Sequence, residues 1–306
     1  MAEWVASQRF RTPSGAELAY VEAGEGSDVV VLLHGFPSTS RLWREVGPAL
    51  EGSFQVIAPD LLGYGASDQP DNAPLDPRAQ ASYVGDLIAS FEPERLAVVG
   101  HDIGGLVAQF LALDGPRIDV LALLDTDAFD LWPIEGLKML QNAEPEQEEP
   151  GFVGDVVDLA FDLGTTKKDA LTAEDLQAFR EQFARDEPSA KAFFRAVHAI
   201  DGIGLAGRDD ELAALDVPAL LVWGEDDPYV GVEIADRLVD TLARPALVTL
   251  PGVGHFTPLE AADVVAPLLE QFLATHIQGR GHEHGPEHAH QTEGPIMVTL
   301  ERHGPA

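Results

Sequence analysis

Six short apolar runs recur along the chain: Val29-Val30-Val31-Leu32-Leu33, Phe54 to Ala58, Leu96-Ala97-Val98-Val99-Gly100, Val120-Leu121-Ala122-Leu123-Leu124, Ala219-Leu220-Leu221-Val222-Trp223 and Ala246 to Leu250. They are continuous rather than alternating, the pattern of strands buried on both faces. Segments of helical spacing lie between and after them, over residues 41–50, 77–91, 103–113, 232–242 and 258–275. Strands alternating with helices imply an α/β fold, a mostly parallel sheet covered by helices on both faces. A hairpin is expected ahead of it, Ala6 to Phe10 and Glu17 to Val21 around Pro13-Ser14-Gly15.

The alternation breaks between residues 128 and 215. No strand-type run occurs there, phenylalanines recur at helical spacing (Phe152, Phe161, Phe179, Phe183, Phe193, Phe194), and residues 144–149 are acidic. This reads as an inserted helical unit, so that 1–127 and 216–276 form the core. Residues 277–306 are polar and carry His282, His284, His288 and His290. Histidine-rich tracts can hold metal, but the expectation here is a solvated, flexible tail without a metal site.

A chain of 306 residues is long enough for one large core. It has no cysteine, which excludes disulfides, thiolate nucleophiles and cysteine-ligated metals. No apolar run approaches the ~20 residues of a membrane-spanning helix. The start, Met1-Ala2-Glu3-Trp4, has neither the basic nor the apolar part of an export signal, so a cytoplasmic location is expected. Nineteen basic residues against 52 acidic ones give a net charge of −33. Such a field repels phosphate backbones and anionic lipid, so neither nucleic acid nor membrane is an expected partner. The acid excess fits life in high salt, where screening shortens to ~3 Å at 1 M, or a coding bias of arginine over lysine. A homodimer is left open.

The chemistry gathers at strand ends. Gly100-His101-Asp102-Ile103-Gly104-Gly105 joins a buried strand to a helix. Small residues at 100 and 104 permit a sharp turn that holds the central side chain at the carboxyl end of the strand, where open α/β sheets place their sites. His34-Gly35-Phe36-Pro37, Gly224-Glu225-Asp226-Asp227 and Gly252-Val253-Gly254-His255 each follow another strand. The order is nucleophile, acid, histidine. Asp102 can also be read as a helix cap, and His255 as an ordinary core histidine. The three motifs together favour chemistry.

With these motifs the sequence resembles the α/β-hydrolase superfamily from about Phe10 to Thr275, inserted lid included. Within it, the chain is similar to the aspartate-nucleophile branch of soluble epoxide hydrolases and haloalkane and haloacetate dehalogenases. The resemblance implies Asp102 as nucleophile, Asp227 as orienting acid and His255 as base, with the backbone N–H groups of Phe36 and Ile103 as oxyanion hole. Some dehalogenases carry the acid after an earlier strand, which nominates Asp125. No cofactor is implied. The residue types suit that chemistry. A carboxylate with a pKa of about 4 is ionised at neutral pH and attacks saturated carbon without a base, giving an alkyl ester on the enzyme. Histidine then draws a proton from the water that attacks the ester.

The leaving group is less well provided for. Epoxide hydrolases of this branch use lid tyrosines, but the four tyrosines here (Tyr20, Tyr64, Tyr83, Tyr229) lie outside the lid segment, and Phe194 stands in the matching stretch. Haloalkane dehalogenases place tryptophan after the nucleophile, and haloacetate dehalogenases use arginines nearby; here Ile103 and Leu106 stand there. His198 and Trp132 are candidate donors, and His34, Trp132, Phe194 and His198 candidate pocket residues, with His34 and His101 also readable as packing groups. The expected activity is hydrolysis of an epoxide, with a carbon–halogen bond as the alternative and a small, apolar or moderately polar organic molecule as substrate. Asp102 as a base in another hydrolase or lyase, and a non-catalytic binding role, are the remaining readings.

Overall fold

The computed structural model describes residues 4–129, 135–143, 149–200, 204–278 and 296–299. Nine strands form one sheet: β1 (Gln8–Arg11), β2 (Glu17–Ala23), β3 (Asp28–Leu33), β4 (Gln55–Pro59), β5 (Arg95–His101), β6 (Val120–Leu124), β7 (Ala219–Gly224), β8 (Pro245–Leu250) and β9 (Ile296–Thr299), in the spatial order β1-β2-β4-β3-β5-β6-β7-β8-β9. β1 and β2 are the expected hairpin, and β2 also runs antiparallel to β4; every other pair is parallel. The six apolar runs are strands. Val29 to Leu33 and Val120 to Leu124 have no exposed surface, because helices cover both faces of the parallel part.

The helices of the core are α1 (Gly47–Leu50), α2 (Pro77–Ala89) and α3 (Ile103–Asp114), with three more near the C-terminal end. The expected helix over 41–50 is two pieces, a 3-10 turn at Ser40–Trp43 followed by α1, with Pro48 near the start of the second. The insertion holds α4 (Glu135–Gln141), α5 (Pro150–Gly164), α6 (Ala173–Ala184), α7 (Glu187–Ala199) and the short α8 (Asp209–Ala213). Then come α9 (Val232–Thr241), α10 (Thr257–Glu260) and α11 (Ala262–Leu273). The expected single helix over 258–275 is broken at Ala261, whose φ of −136° is not helical.

The C-terminal expectation needs one correction. Ile296–Thr299 is not part of a loose tail but the ninth strand, parallel to β8 in the register Ala246↔Ile296 to Thr249↔Thr299. A short β-branched stretch takes up the backbone groups that the edge of β8 would otherwise expose. The four tail histidines lie outside the described residues. Among the described residues no helix is long and apolar enough to cross a membrane.

The lid is pinned to the core by charge and by rings. Asp175, at the start of α6, is fully buried and bridges Arg41 and Arg44 at 2.8 Å each. From the same helix, the Gln182 side chain donates to the Pro37 carbonyl at 2.7 Å and accepts the Gly65 N–H at 2.9 Å. Phe183 and Phe193 pack on Phe36 with centroids 6.3 and 5.2 Å apart. The lid is thereby seated on the loop that follows β3.

Candidate active site

The turn between β5 and α3 is built as its glycines require. A Cβ on Gly100 would run into the backbone of Gly104, and one on Gly104 into the carbonyls of Leu33 and His34. Asp102, at the apex, has φ 54° and ψ −127°, a left-handed conformation that costs a non-glycine residue ~1–3 kcal/mol. Neighbouring bonds hold it there: the Asp102 N–H donates to the Leu124 carbonyl at 3.2 Å, and the Thr126 hydroxyl donates to the Asp102 carbonyl at 2.6 Å. Gly35 lies so close that any side chain on it would collide with the Asp102 side chain.

The two carboxylate oxygens of Asp102 have different surroundings. Oδ1 accepts the Phe36 N–H at 2.6 Å, and the Ile103 N–H at the start of α3 also bonds this carboxylate. Oδ2 faces His255 Nε2 at 3.7 Å, too long for a hydrogen bond. On the far side of the ring, His255 Nδ1–H donates to Asp227 Oδ2 at 2.8 Å. Asp227 Oδ1 in turn accepts the N–H groups of Tyr229 and Val230 at 2.7 and 3.0 Å. The structure therefore brings Asp102, His255 and Asp227 into one row, with the Phe36 and Ile103 N–H groups at its head. Asp125 is not in it. Its oxygens are taken by the Gly224 N–H at 2.7 Å and the Thr257 hydroxyl at 2.5 Å.

Electrostatics link the row. Burial raises the Asp102 carboxyl, while the His255 charge and the two backbone N–H groups pull it back. For His255, burial lowers the affinity for a proton, but the charge and hydrogen bond of Asp227, with Asp102 and Asp125, outweigh it and carry the imidazole up to about 9. Asp125 and Asp127 are pushed well above the usual carboxylate range, by burial first. Neutral His101 lies under the site, with Nε2 bonded to the His255 carbonyl at 2.8 Å and its affinity for a proton lowered by burial.

Above Asp102 lies a cavity of 290 Å³ between the core and the lid. Its walls are Phe36, Pro37 and Phe256 below and residues of α4 and α5 above, including Leu137, Leu140, Val156 and Ala160. Among the described residues only Asp102, Tyr229 and His255 bring polar side chains to it. Met139, Leu159 and Leu163 also line it yet are 74%, 55% and 58% exposed, so they form an apolar rim. No lysine or arginine among the described residues lines it. Among the described residues no group of His, Asp or Glu is set to hold a metal ion.

Three of the expected pocket residues stand elsewhere. His34 is buried beneath the loop, with Nε2 accepting the Leu61 N–H at 3.0 Å and Nδ1–H donating to the Gly35 carbonyl at 2.9 Å. It is a packing group, the second of the two readings above. Phe194 and His198 line a separate outer groove with Asp71 and Lys191, because α7 turns that face away from Asp102 and gives Phe193 to the core side. His198 bonds the carbonyls of Phe194 and Gln141 instead. Trp132 lies outside the described residues. Tyr229 went unrecognised in the sequence because it follows Asp227 by two residues and is not in the lid. Its ring packs edge-on to His255 at 5.2 Å, and its hydroxyl donates to the Ala160 carbonyl of α5 at 2.7 Å. Glu260 was missed as well. It accepts the N–H groups of Thr166, Lys167 and Gly254 at 2.7, 2.8 and 3.2 Å, tying the end of α5 to the His255 loop.

This sheet order, the tight β5–α3 turn and the helical lid define a hydrolase of the α/β class. The chain belongs to the alpha/beta hydrolase family, whose family model matches residues 30–268. Among curated relatives, a 2-hydroxymuconate semialdehyde hydrolase of Pseudomonas sp. (strain CF600) is 30% identical over 76% of this chain and 81% of its own length. A fluoroacetate dehalogenase of Burkholderia sp. is 30% identical over 88% of this chain and 92% of its own. A soluble epoxide hydrolase of Corynebacterium sp. (strain C12) is 42% identical over a shorter stretch, 37% of this chain and 39% of its own. Among solved structures, an alpha/beta hydrolase fold protein from Burkholderia ambifaria has a TM-score of 0.79 at 26% identity, covering 87% of this chain and 98% of that one. The epoxide hydrolase CorEH has a TM-score of 0.73 at 25% identity over the same shares.

Proposed function

We propose that this hydrolase works through an alkyl ester on Asp102, and that its substrates are uncharged, apolar epoxides. The observation that carries the reading is the split environment of the Asp102 carboxylate. Oδ1 already accepts the Phe36 N–H and the Ile103 N–H bonds the same carboxylate, while Oδ2 faces the cavity side of His255. Attack by Oδ2 on an epoxide carbon leaves Oδ1 as the ester carbonyl oxygen. When water adds to that ester, the negative charge develops on Oδ1, where the Phe36 N–H stands ready and the Ile103 N–H lies beside the same group, an effect of about 3 kcal/mol per donor in related chemistry. The 3.7 Å gap between Oδ2 and Nε2 marks where the water enters, with Nε2 taking its proton. Asp227 holds the ring in the tautomer that leaves Nε2 free for this work.

Ester formation also prepares the base. Asp102 is one of the charges that hold a proton on His255. Once it is esterified that charge is gone, and the imidazole loses its proton more readily. The apolar walls, which carry no cation among the described residues, disfavour carboxylate-bearing substrates, which would lie unpaired beside Asp102. A second reading, hydrolysis of an uncharged haloalkane, is supported by the same apolar cavity.

The test is chemical trapping. His255→Ala should accumulate a covalent adduct on the Asp102 peptide when offered small aliphatic epoxides. In single-turnover hydrolysis by the unaltered enzyme in heavy-oxygen water, one heavy oxygen should enter the Asp102 carboxylate. Turnover that puts the label in product alone would refute the ester.

A further inference from the structure

Epoxide opening makes an alkoxide, which needs a proton or a strong hydrogen bond as it leaves. The lid offers no tyrosine for this, and its one histidine faces another groove. Among the described residues only Tyr229 and His255 bring side-chain donors to the cavity, and in the reading above His255 serves the water step. Resting on the epoxide reading above, we propose that Tyr229, from the loop after β7, donates the hydrogen bond and proton to the departing epoxide oxygen.

Three features fit it for that part. Its backbone is fixed by the same carboxylate that orients His255, because its N–H donates to Asp227 Oδ1 at 2.7 Å. Its hydroxyl donates at 2.7 Å to the Ala160 carbonyl, which also lines the cavity. A turn of the O–H about its C–O bond redirects the hydrogen without moving the ring. Ala160 sits inside α5, where its carbonyl is also the acceptor of the helix's own bond, so it is not orphaned by the exchange. Burial, then the charges of Asp227, Asp102 and Asp162, hold the phenol proton above its ordinary value, so the group stays a donor at any working pH.

The protons balance. Asp102 Oδ2 forms a bond to an epoxide carbon and the C–O bond breaks. The alkoxide takes the Tyr229 proton, the tyrosinate is reprotonated from solvent, and the His255 imidazolium, no longer held by the Asp102 charge, gives its proton up to solvent. His255 is then neutral and able to accept a proton from the attacking water. Collapse of the tetrahedral adduct expels the second oxygen, which leaves as alcohol with that proton. The Asp102 carboxyl proton returns to His255 and restores the starting state.

The experiment uses Tyr229→Phe, which keeps the ring on His255 and removes the hydroxyl. Adduct formation with saturating 1,2-epoxyhexane is followed by intact mass in His255→Ala and in His255→Ala/Tyr229→Phe. The expected result is a rate lower by about 10²-fold or more in the double variant. A primary alkyl iodide that also forms the adduct should lose little, since iodide leaves without a proton. Equal epoxide rates in the two proteins would overturn the proposal. So would a rise in the half-saturating concentration with no change in the saturated rate, the mark of a hydroxyl that merely latches the lid. No adduct in the single variant with any epoxide or haloalkane would instead count against the ester mechanism itself.

Discussion

His255 is the residue whose charge most depends on its neighbours. Burial works against its proton, and Asp227, Asp102 and Asp125 hold it, up to about 9. A folded value above the ordinary 6.5 means the stabilisation is fully present below pH ~6.5 and fades as pH rises through about 9. The melting temperature should therefore fall between these pH values, and fall less in Asp227→Asn, which removes the strongest charge holding the proton. The same variant should lose turnover by about 10⁴-fold, because Asn favours the wrong tautomer. Asp125→Asn should leave the imidazole in its working orientation and most of the turnover intact, since Asp125 bonds Gly224 and Thr257 instead. Calorimetric melts against pH and initial rates check both. Equal losses in the two variants would mean that the orienting acid has been misassigned. At this scale the sequence was most legible where a residue type sat in a glycine frame, as with Asp102. It was least legible for Tyr229, whose meaning comes from a ring contact and a hydroxyl bond that cross between elements.

Helices α4 and α5 decide what reaches Asp102. Met139, Leu159 and Leu163 are exposed leucines and a methionine on a strongly acidic protein, and all three line the cavity. Under the proposed ester mechanism they suit an apolar chain threading toward Asp102. Leu159→Gln/Leu163→Gln should leave stability within about 0.5 kcal/mol, as for surface substitutions generally. If a bound chain covers ~40 Å² of each side chain, each loss costs about 1 kcal/mol, or about fivefold in KM per position. The increase should shrink as the substrate's alkyl chain is shortened. A chain-length series measured on both proteins checks it, and an unchanged KM for the longest chain contradicts it. Phenylalanine spacing and the loss of strand runs pointed to a helical insertion, and helices α4 to α8 occupy that stretch. Which face of α7 turned inward was not, since Phe193 and Phe194 are equally apolar, and only packing on Phe36 separates them.

The molecule as a whole carries −33 charges. Self-repulsion on that scale destabilises the compact state, and salt relieves it. The melting temperature should rise from about 0.05 M to 1 M NaCl, as the Debye length falls toward 3 Å. Most of that rise should come early, where screening first reaches neighbouring surface carboxylates. A flat response would show that pairs such as Arg208 with Asp114, at 2.7 Å, already compensate the excess.

Strand positions, the parallel sheet and the places of Asp102 and His255 were set by local sequence. Continuous apolar runs report burial on both faces, and glycines report a turn that no other residue can make. What only tertiary structure decided lies between distant segments. Asp227 rather than Asp125 meets His255. Tyr229 reaches the lid. Ile296–Thr299 closes the sheet edge. Each is a choice among chemically equivalent partners, and distance in space, which no local pattern encodes, makes the choice.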